Sequence, residues 1–567
     1  MCGIAGIFHL NKKVEEKEIL SITNSLNHRG PDDFGIFIDN NIALGHRRLS
    51  ILDLSSKGRN PFYKKFSDNT EYYIVYNGEI FNFIELRKEM ISDGYHFETE
   101  TDTEVILAVY HKYGINALHK FNGMWAFAIY NPHDKTILLS RDRFGIKPLY
   151  FLMYNNSFYF ASEIKAFLNI EDFFFEFDEE STKFALSNIV GYEGLSPKTL
   201  FKNIFKILPG YNLLIDSKGN IKYDKWWHLE NNLIDPPINY KDQVEIFRNL
   251  LIDATKIRMR SDVNIGSSLS GGTDSSTIAS IVQLLSYDKI ERKAPASHYV
   301  FAAKFPNSFL DESYYIDLIS KEKNFNLISL SFEQPTQKDI IKSIFISENI
   351  TVSSLLPIIK TYELMKQNNV TVTLDGHGAD ELLCGYTFYL GWPQNNFKEK
   401  LQFNFEYNIL PAILRNFDLS SMANGIEVRM PFLDHRVVSF IFSLPITSII
   451  GNGFTKRILR DAFSDIVPHE IIYRHSKIGF NSPTNNWLNS CLNDTAVQIF
   501  SNKFFNNNPF WDYNTLKDKF YKKTLLKKWE NNTNDFLVAN EFWSYINLTL
   551  LYELFIEKKR DLYEQIN

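Results

Sequence analysis

Leu269-Ser270-Gly271-Gly272-Thr273-Asp274-Ser275-Ser276 is the stretch on which the reading of this chain turns. Val263–Ser268 before it reads as a short buried strand running into a turn, and Thr277–Val282 after it reads as the start of a helix. Strand, glycine turn and hydroxyl-rich helix start make an anion cradle. Free N–H groups of the first helical turn and the positive end of the helix dipole face one spot. The paired glycines allow close backbone approach. No lysine closes the loop, so it is not the Gly-x-x-x-x-Gly-Lys-Ser/Thr nucleotide loop. Asp274 makes sense beside polyphosphate if Mg2+ lies between the two. By spacing alone, a serine- and glycine-rich helix cap explains the stretch equally well.

Ser270-Gly271-Gly272-Thr273-Asp274-Ser275-Ser276 resembles the pyrophosphate loop of the ATP pyrophosphatase superfamily, whose members cleave ATP between its α and β phosphates to adenylate a substrate. That superfamily usually carries Leu or Ile where this chain has Thr273.

The remainder of the chain sets bounds. At 567 residues it exceeds one ordinary core, so two domains are expected. An apolar content of 44% and a charged content of 23% are those of a globular protein. The net charge of -6 is spread along the chain and suggests neither a nucleic-acid nor a membrane surface. Three cysteines, Cys2, Cys384 and Cys491, make no disulfide framework, which points to a reducing compartment. With no signal-like N-terminus and no long uncharged apolar run, a cytoplasmic location is expected.

Cys2 is the first reactive candidate. Were Met1 removed, its thiol and a free α-amine that titrates near neutrality would belong to one residue, nucleophile and base together. Alone, a small buried cysteine is the commoner reading. Five segments follow it: the turn His28–Asp33, the strand end Gly45–Ile51, the β-rich Tyr73–Tyr76 stopping at Asn77-Gly78-Glu79, the helix start Thr101–Glu104, and the strand Gly123–Tyr130. Successive strands with few intervening helices indicate an α+β domain of sheet layers.

This region, from Cys2 to about Trp227, resembles the class II glutamine amidotransferase domain, an N-terminal-nucleophile hydrolase. The resemblance implies that Cys2 attacks the glutamine side-chain amide and releases ammonia. The Asn77 side chain and the Gly78 N–H would form an oxyanion hole, the place for preorganised donors. Arg48 would hold the glutamine α-carboxylate with a planar fork. Glu79 and Asp102 would bind the α-amino group, and Leu49, Ser50 and Ile51 would complete the glutamine site.

Asn231–Asn239, with two prolines and little periodicity, is where a domain boundary is placed. The expected division is residues 2–228 and 240–567. Tyr240–Arg260 is expected to be helical, with Val244, Phe247, Leu250, Leu251 and Ala254 on one face. Thereafter strands alternate with helices, which indicates an α/β parallel sheet with helical additions. Val370–Leu374 is a strand that ends in Asp375-Gly376-His377-Gly378-Ala379-Asp380-Glu381. Ligands in such sheets sit beyond the carboxyl ends of strands, where both the Ser270 and Asp375 loops fall.

Over nearly the whole chain the sequence is similar to the asparagine synthetase family. The resemblance rests on Gly376–Glu381, on Ala423–Asp434 with its Glu427-Val428-Arg429-Met430-Pro431-Phe432-Leu433-Asp434, on Lys456–Arg460, and on Ser476–Phe480. It implies that Asp274 and Asp380 share Mg2+, and that Leu269, Ser270, Gly271, Gly272, Ser275, Ser276, Ala303, Asp375 and Gly376 contact ATP or pyrophosphate. Lys477 would stabilise departing negative charge. His377 stands where the family loop carries Glu or Gln. A neutral imidazole can also accept a proton from attacking ammonia, and between Gly376 and Gly378 it has few expected packing partners.

The function expected is glutamine-dependent asparagine synthesis. The co-substrates would be ATP, Mg2+, glutamine and aspartate, with a homodimer kept open. The alternative is the same chemistry on another carboxylate, such as a sugar acid. The aromatic-rich residues after about Asn485 carry no catalytic motif.

Overall fold

A computed structural model describes the chain except residues 293, 295–297, 333–334, 393–395, 476–478, 480 and 567. The first half is built from two six-stranded antiparallel sheets. One runs, edge to edge, Ile204–Lys206, Tyr150–Tyr154, Ser157–Ala161, Gly3–His9, Ile42–Arg48, Asp33–Asp39. The other runs Ile221–Lys225, Tyr211–Ile215, Thr136–Arg141, Gly123–Asn131, Glu71–Ile80, Phe62–Lys65.

Alternation explains why the sheets face each other. Ile4, Phe8, Ile42 and Leu44 from one sheet meet Val75, Ala126, Ala128 and Leu139 from the other in a shared core. The opposite faces are apolar too and are covered by helices. Glu16–Asn24 packs Ile19 and Ile22 on the first sheet. Asp102–Tyr113 buries Val105, Ile106 and Val109 against Tyr76 and Trp125 of the second. The result is the four-layered sandwich expected of an N-terminal-nucleophile hydrolase.

The second half contains a five-stranded parallel sheet in the order Asn326–Ser331, Tyr299–Lys304, Ile265–Ser268, Val372–Leu374, Glu427–Arg429. Chain order proceeds outward on one side of Ile265–Ser268 and then restarts on the other. The crevice beside that central strand is therefore the switch point at which such sheets bind ligands.

Several sequence expectations shift by a few residues. The central strand begins at Ile265, not Val263, and the long helix is Tyr240–Arg258, capped by the Asn239 side chain. The helix after the glycine loop is Thr273–Leu285 and starts four residues before Thr277. The hydroxyls of Thr273, Ser275 and Ser276 sit in its first turn, where unpaired N–H groups accept a polar start.

The two halves share a core. Met1, Leu49, Ile51, Phe81, Phe144 and Ile146 pack with Leu251, Ile426 and Met430 in one cluster. The C-terminal helices join them from the side. Phe504 and Phe555 stack among Phe177, Phe201 and Phe175 of the first half. Trp543 and Asn547 donate to Thr351 Oγ1 at 3.2 and 3.3 Å. The tail that carries no motif thus props Thr351, part of the wall of the cavity described below. Among the described residues no helix is long and apolar enough to cross a membrane.

Candidate active sites

The first site lies where strand Gly3–His9 begins and strand Glu71–Ile80 ends. Cys2 N–H donates to Asn77 Oδ1 at 3.0 Å, and Leu49 O lies 4.0 Å from the thiol. The bond to Oδ1 leaves Asn77 Nδ2 buried and with no hydrogen-bond partner among the described residues. A buried unpaired amide donor is costly unless a ligand fills it. Gly78, opposite Trp125 in the sheet, follows directly. Burial pushes the Cys2 thiol up, while the terminal amine and Arg48 pull it down.

Arg48 is buried and is held by the carbonyls of Ser55 (2.7 Å), Leu52 (3.2 Å) and Asp53. These partners are neutral, so its charge is left for a carboxylate. Ser50 N–H donates to Asp32 Oδ2 at 2.8 Å, and Leu49 and Ile51 are buried. Asp102 accepts the Tyr76 hydroxyl at 2.8 Å and the Ile80 N–H at 2.9 Å. Burial still pushes its carboxyl up to about 6. Glu79 is driven well above the usual carboxylate range, first by burial and then by Asp102. Its Oε2 lies 3.5 Å from Arg429 Nη2, and its Oε1 has no hydrogen-bond partner among the described residues. Two buried acids short of positive charge suit an incoming ammonium.

The second site is a cavity of about 400 Å³ at the switch point of the parallel sheet. Leu269, Ser270, Gly272, Asp274, Ser275, Ala303, Asp375, Gly376, His377 and Asp380 all line it. Ser276 is buried, its hydroxyl without a hydrogen-bond partner among the described residues. Gly271 takes φ +73°, a conformation glycine adopts without strain. A Cβ on Gly376 would lie 2.8 Å from Asp274 C and Ser275 N, so the two loops touch through bare backbone.

Asp375 ties them together. Its carboxylate accepts Ser268 N–H and Ser268 Oγ–H, both at 2.9 Å, Thr373 Oγ1–H at 2.6 Å and Tyr362 O–H at 3.1 Å. His377 Nε2 lies 3.3 Å from Asp375 Oδ2, and its ring packs on that of Phe417, tilted by 32° with centroids 3.5 Å apart. The expectation of few packing partners is therefore corrected. The helix Leu410–Met422 supplies a ring that two flanking glycines could not reveal. His377 still faces the cavity. Thr273 is accommodated, its hydroxyl reaching Ile471 O at 3.4 Å.

Asp274 and Asp380 converge on one cation. Lys456 Nζ lies 2.6–2.7 Å from both Asp274 oxygens and 2.6 Å from Asp380 Oδ1. An ammonium already stands in for positive charge between the two carboxylates, so the donor set fits a divalent ion bridging them to phosphate. Arg460 and Arg474 line the same wall. Sequence reasoning quoted Lys456–Arg460 without assigning roles and passed over Arg474. Two acidic loops meeting at one sheet edge were the signal that such cations had to be near. Lys477 lies outside the described residues.

Comparison with known proteins agrees with this division of labour. Residues 1–227 match the model of the glutamine amidotransferase domain, and residues 246–401 and 391–550 match that of asparagine synthase. The chain belongs to the asparagine synthase family. Asparagine synthetase (glutamine-hydrolyzing) 1 of Bacillus subtilis is 30% identical over 88% of this chain and 90% of its own length. A Methanocaldococcus jannaschii protein carrying a glutamine-hydrolyzing asparagine synthetase name is 36% identical over 71% of this chain and 78% of its own. Asparagine synthetase B (glutamine-hydrolyzing) of Escherichia coli is 28% identical over 92% of this chain. In this member of the asparagine synthase family both sites are assembled within one chain.

Proposed function

We propose that the chain makes asparagine, with glutamine as nitrogen donor and with ATP split to AMP and pyrophosphate. The observation that carries this reading is the pair of candidate sites on one chain whose first half matches the glutamine amidotransferase domain and whose second half matches asparagine synthase. Residues 2–228 would act as the glutaminase domain and 240–567 as the amide-forming domain.

In the first site Cys2 attacks the glutamine amide carbon, with Asn77 Nδ2 and the Gly78 N–H receiving the developing oxyanion. Arg48 holds the α-carboxylate, and Glu79 and Asp102 hold the α-ammonium. The ammonia released crosses to the cavity. There the Ser270–Ser276 loop and the helix start behind it cradle the phosphates of ATP. Asp274 and Asp380 would hold Mg2+, which when bound supplies charge neutralisation for the pyrophosphate; Lys456 and Arg460 add positive charge, and Lys477 would stabilise the departing pyrophosphate. His377 faces the acyl-adenylate and takes a proton from the attacking nitrogen.

His377 also motivates one second reading, the same chemistry on a different acceptor carboxylate. A screen for pyrophosphate release over aspartate, sugar acids and other carboxylates, with ammonia as nitrogen source, tests both. Turnover with aspartate and formation of asparagine is the expected result. Release only with another acid would overturn the choice of substrate.

A further inference from the structure

Glu427-Val428-Arg429 was quoted above within a signature that carried no role. It is the edge strand of the parallel sheet, and both its charged side chains belong to the cluster around the first site. Arg429 is fully buried. Its Nη2 lies 3.5 Å from Glu79 Oε2 and its Nε 2.6 Å from Glu427 Oε1. Its Nη1 donates to Arg258 O and Arg260 O at 2.7 and 2.5 Å. Its own carbonyl accepts the Asp375 N–H at 2.9 Å. Asp375 in turn holds Ser268, one residue ahead of the phosphate loop. One residue therefore touches the glutamine site with its side chain and the nucleotide site with its backbone.

Three buried carboxylates, Glu79, Asp102 and Glu427, face the Arg429 guanidinium, with the terminal amine of Met1 3.2 Å from Glu427 and Lys147 acting on Glu427 as well. Glu79 Oε1, Arg429 Nη2 and Asn77 Nδ2 are all buried without hydrogen-bond partners among the described residues. An ammonium arriving at Glu79 would compete with Arg429 Nη2 for that carboxylate, while Nε and Nη1 are already held by Glu427 and the two carbonyls. A coupling between sites requires one element that both ligands bias.

We propose that Arg429 is a positioning residue that couples the two sites: its side chain responds to the α-ammonium at Glu79, and its carbonyl passes the change to Asp375 and the phosphate loop. This rests on the reading of Glu79 and Asp102 as the holders of that ammonium. Linkage makes the effect reciprocal, so nucleotide must change the affinity for the amino acid by the same factor.

The test is calorimetric titration of the full-length protein with L-glutamate and with glutarate, which lacks the α-amino group. Each is run with and without Mg2+ and α,β-methylene-ATP, which resists cleavage. The expected result is that nucleotide shifts glutamate affinity by about fivefold or more and leaves glutarate unchanged. Arg429→Lys keeps the charge but not the fork, and should shrink the shift below about twofold while nucleotide affinity holds. If glutamate binds no tighter than glutarate without nucleotide, the reading of Glu79 and Asp102 falls and the coupling with it. If glutamate binds tighter but nucleotide shifts neither ligand, or both alike, the coupling alone is overturned. Full coupling in Arg429→Lys would equally remove Arg429 from the role.

Discussion

The two sites solve the same problem, holding a charged small molecule, with opposite materials. On the proposed reading the glutaminase site lies among antiparallel strands, and its recognition elements are Asn77 Nδ2 and Glu79 Oε1, which have no hydrogen-bond partner among the described residues, and Arg48, held only by neutral carbonyls. The nucleotide site is an open cavity whose elements are backbone and paired charges: the first turn of Thr273–Leu285, and Asp274 and Asp380 closed on Lys456. Burial amplifies each charge in the first, so binding and pKa are strongly linked there. In the second, helix geometry and ion pairing carry the load, and its acids are already compensated.

Separability is the sharpest way to break this contrast. Cys2→Ala should reduce glutamine-dependent synthesis by about a thousandfold or more, while ammonia-dependent synthesis stays near wild type. Parallel loss of both activities would mean that the sites are not independent. An uncleaved N-terminal extension should act like Cys2→Ala, since it removes the free amine.

From the other side, Asp274→Asn or Asp380→Asn should cut AMP formation by about a hundredfold or more. Each removes a charge facing the phosphate and its cation, and each leaves Lys456 less well held. Glutaminase activity should persist. AMP formed at the normal rate in either variant would remove these acids from the ATP site.

A smaller effect is expected at His377. His377→Ala should lower ammonia-dependent turnover about tenfold to a hundredfold, with ATP affinity nearly unchanged, and His377→Gln or His377→Glu should restore part of the rate. A wild-type rate with saturating acceptor would reduce His377 to a packing partner of Phe417.

The gentlest test uses pH. The folded value of Asp102, about 6, lies above its ordinary 3.8. In the free protein the protonated form is therefore favoured only below about pH 6, and its contribution to stability is present below about pH 4 and lost as pH rises through about 6. The ammonium needs the ionised form. The kcat/KM for glutamine should fall about tenfold per unit below about pH 6, and ammonia-dependent kcat/KM for the acceptor should lack this break. Asp102→Asn should erase it. A break of equal size in both profiles would place its origin outside the glutaminase site.

Much of the chain was legible because its signals are local. Hydrophobic alternation in Tyr73–Tyr76 and Gly123–Tyr130, and the strand–glycine–helix order at Ile265–Ser276, are set by neighbours in sequence. So were Asn77-Gly78-Glu79 and Asp375–Glu381 as chemical candidates, since each occupies a strand end. The burial of Glu79 and Asp102 was not legible, because desolvation depends on what the other half of the chain lays over them. Nor was the Phe417 ring beneath His377, forty residues away, nor the meeting of Lys456 with Asp274 and Asp380. Sequence alone determined which residues carry charge, nucleophile and flexible backbone, because these are properties of side chains and short spacings. Tertiary structure alone decided which charges are paired, which are stranded, and that Arg429 stands between the two sites, because packing, not spacing, sets the distance and dielectric through which charges act.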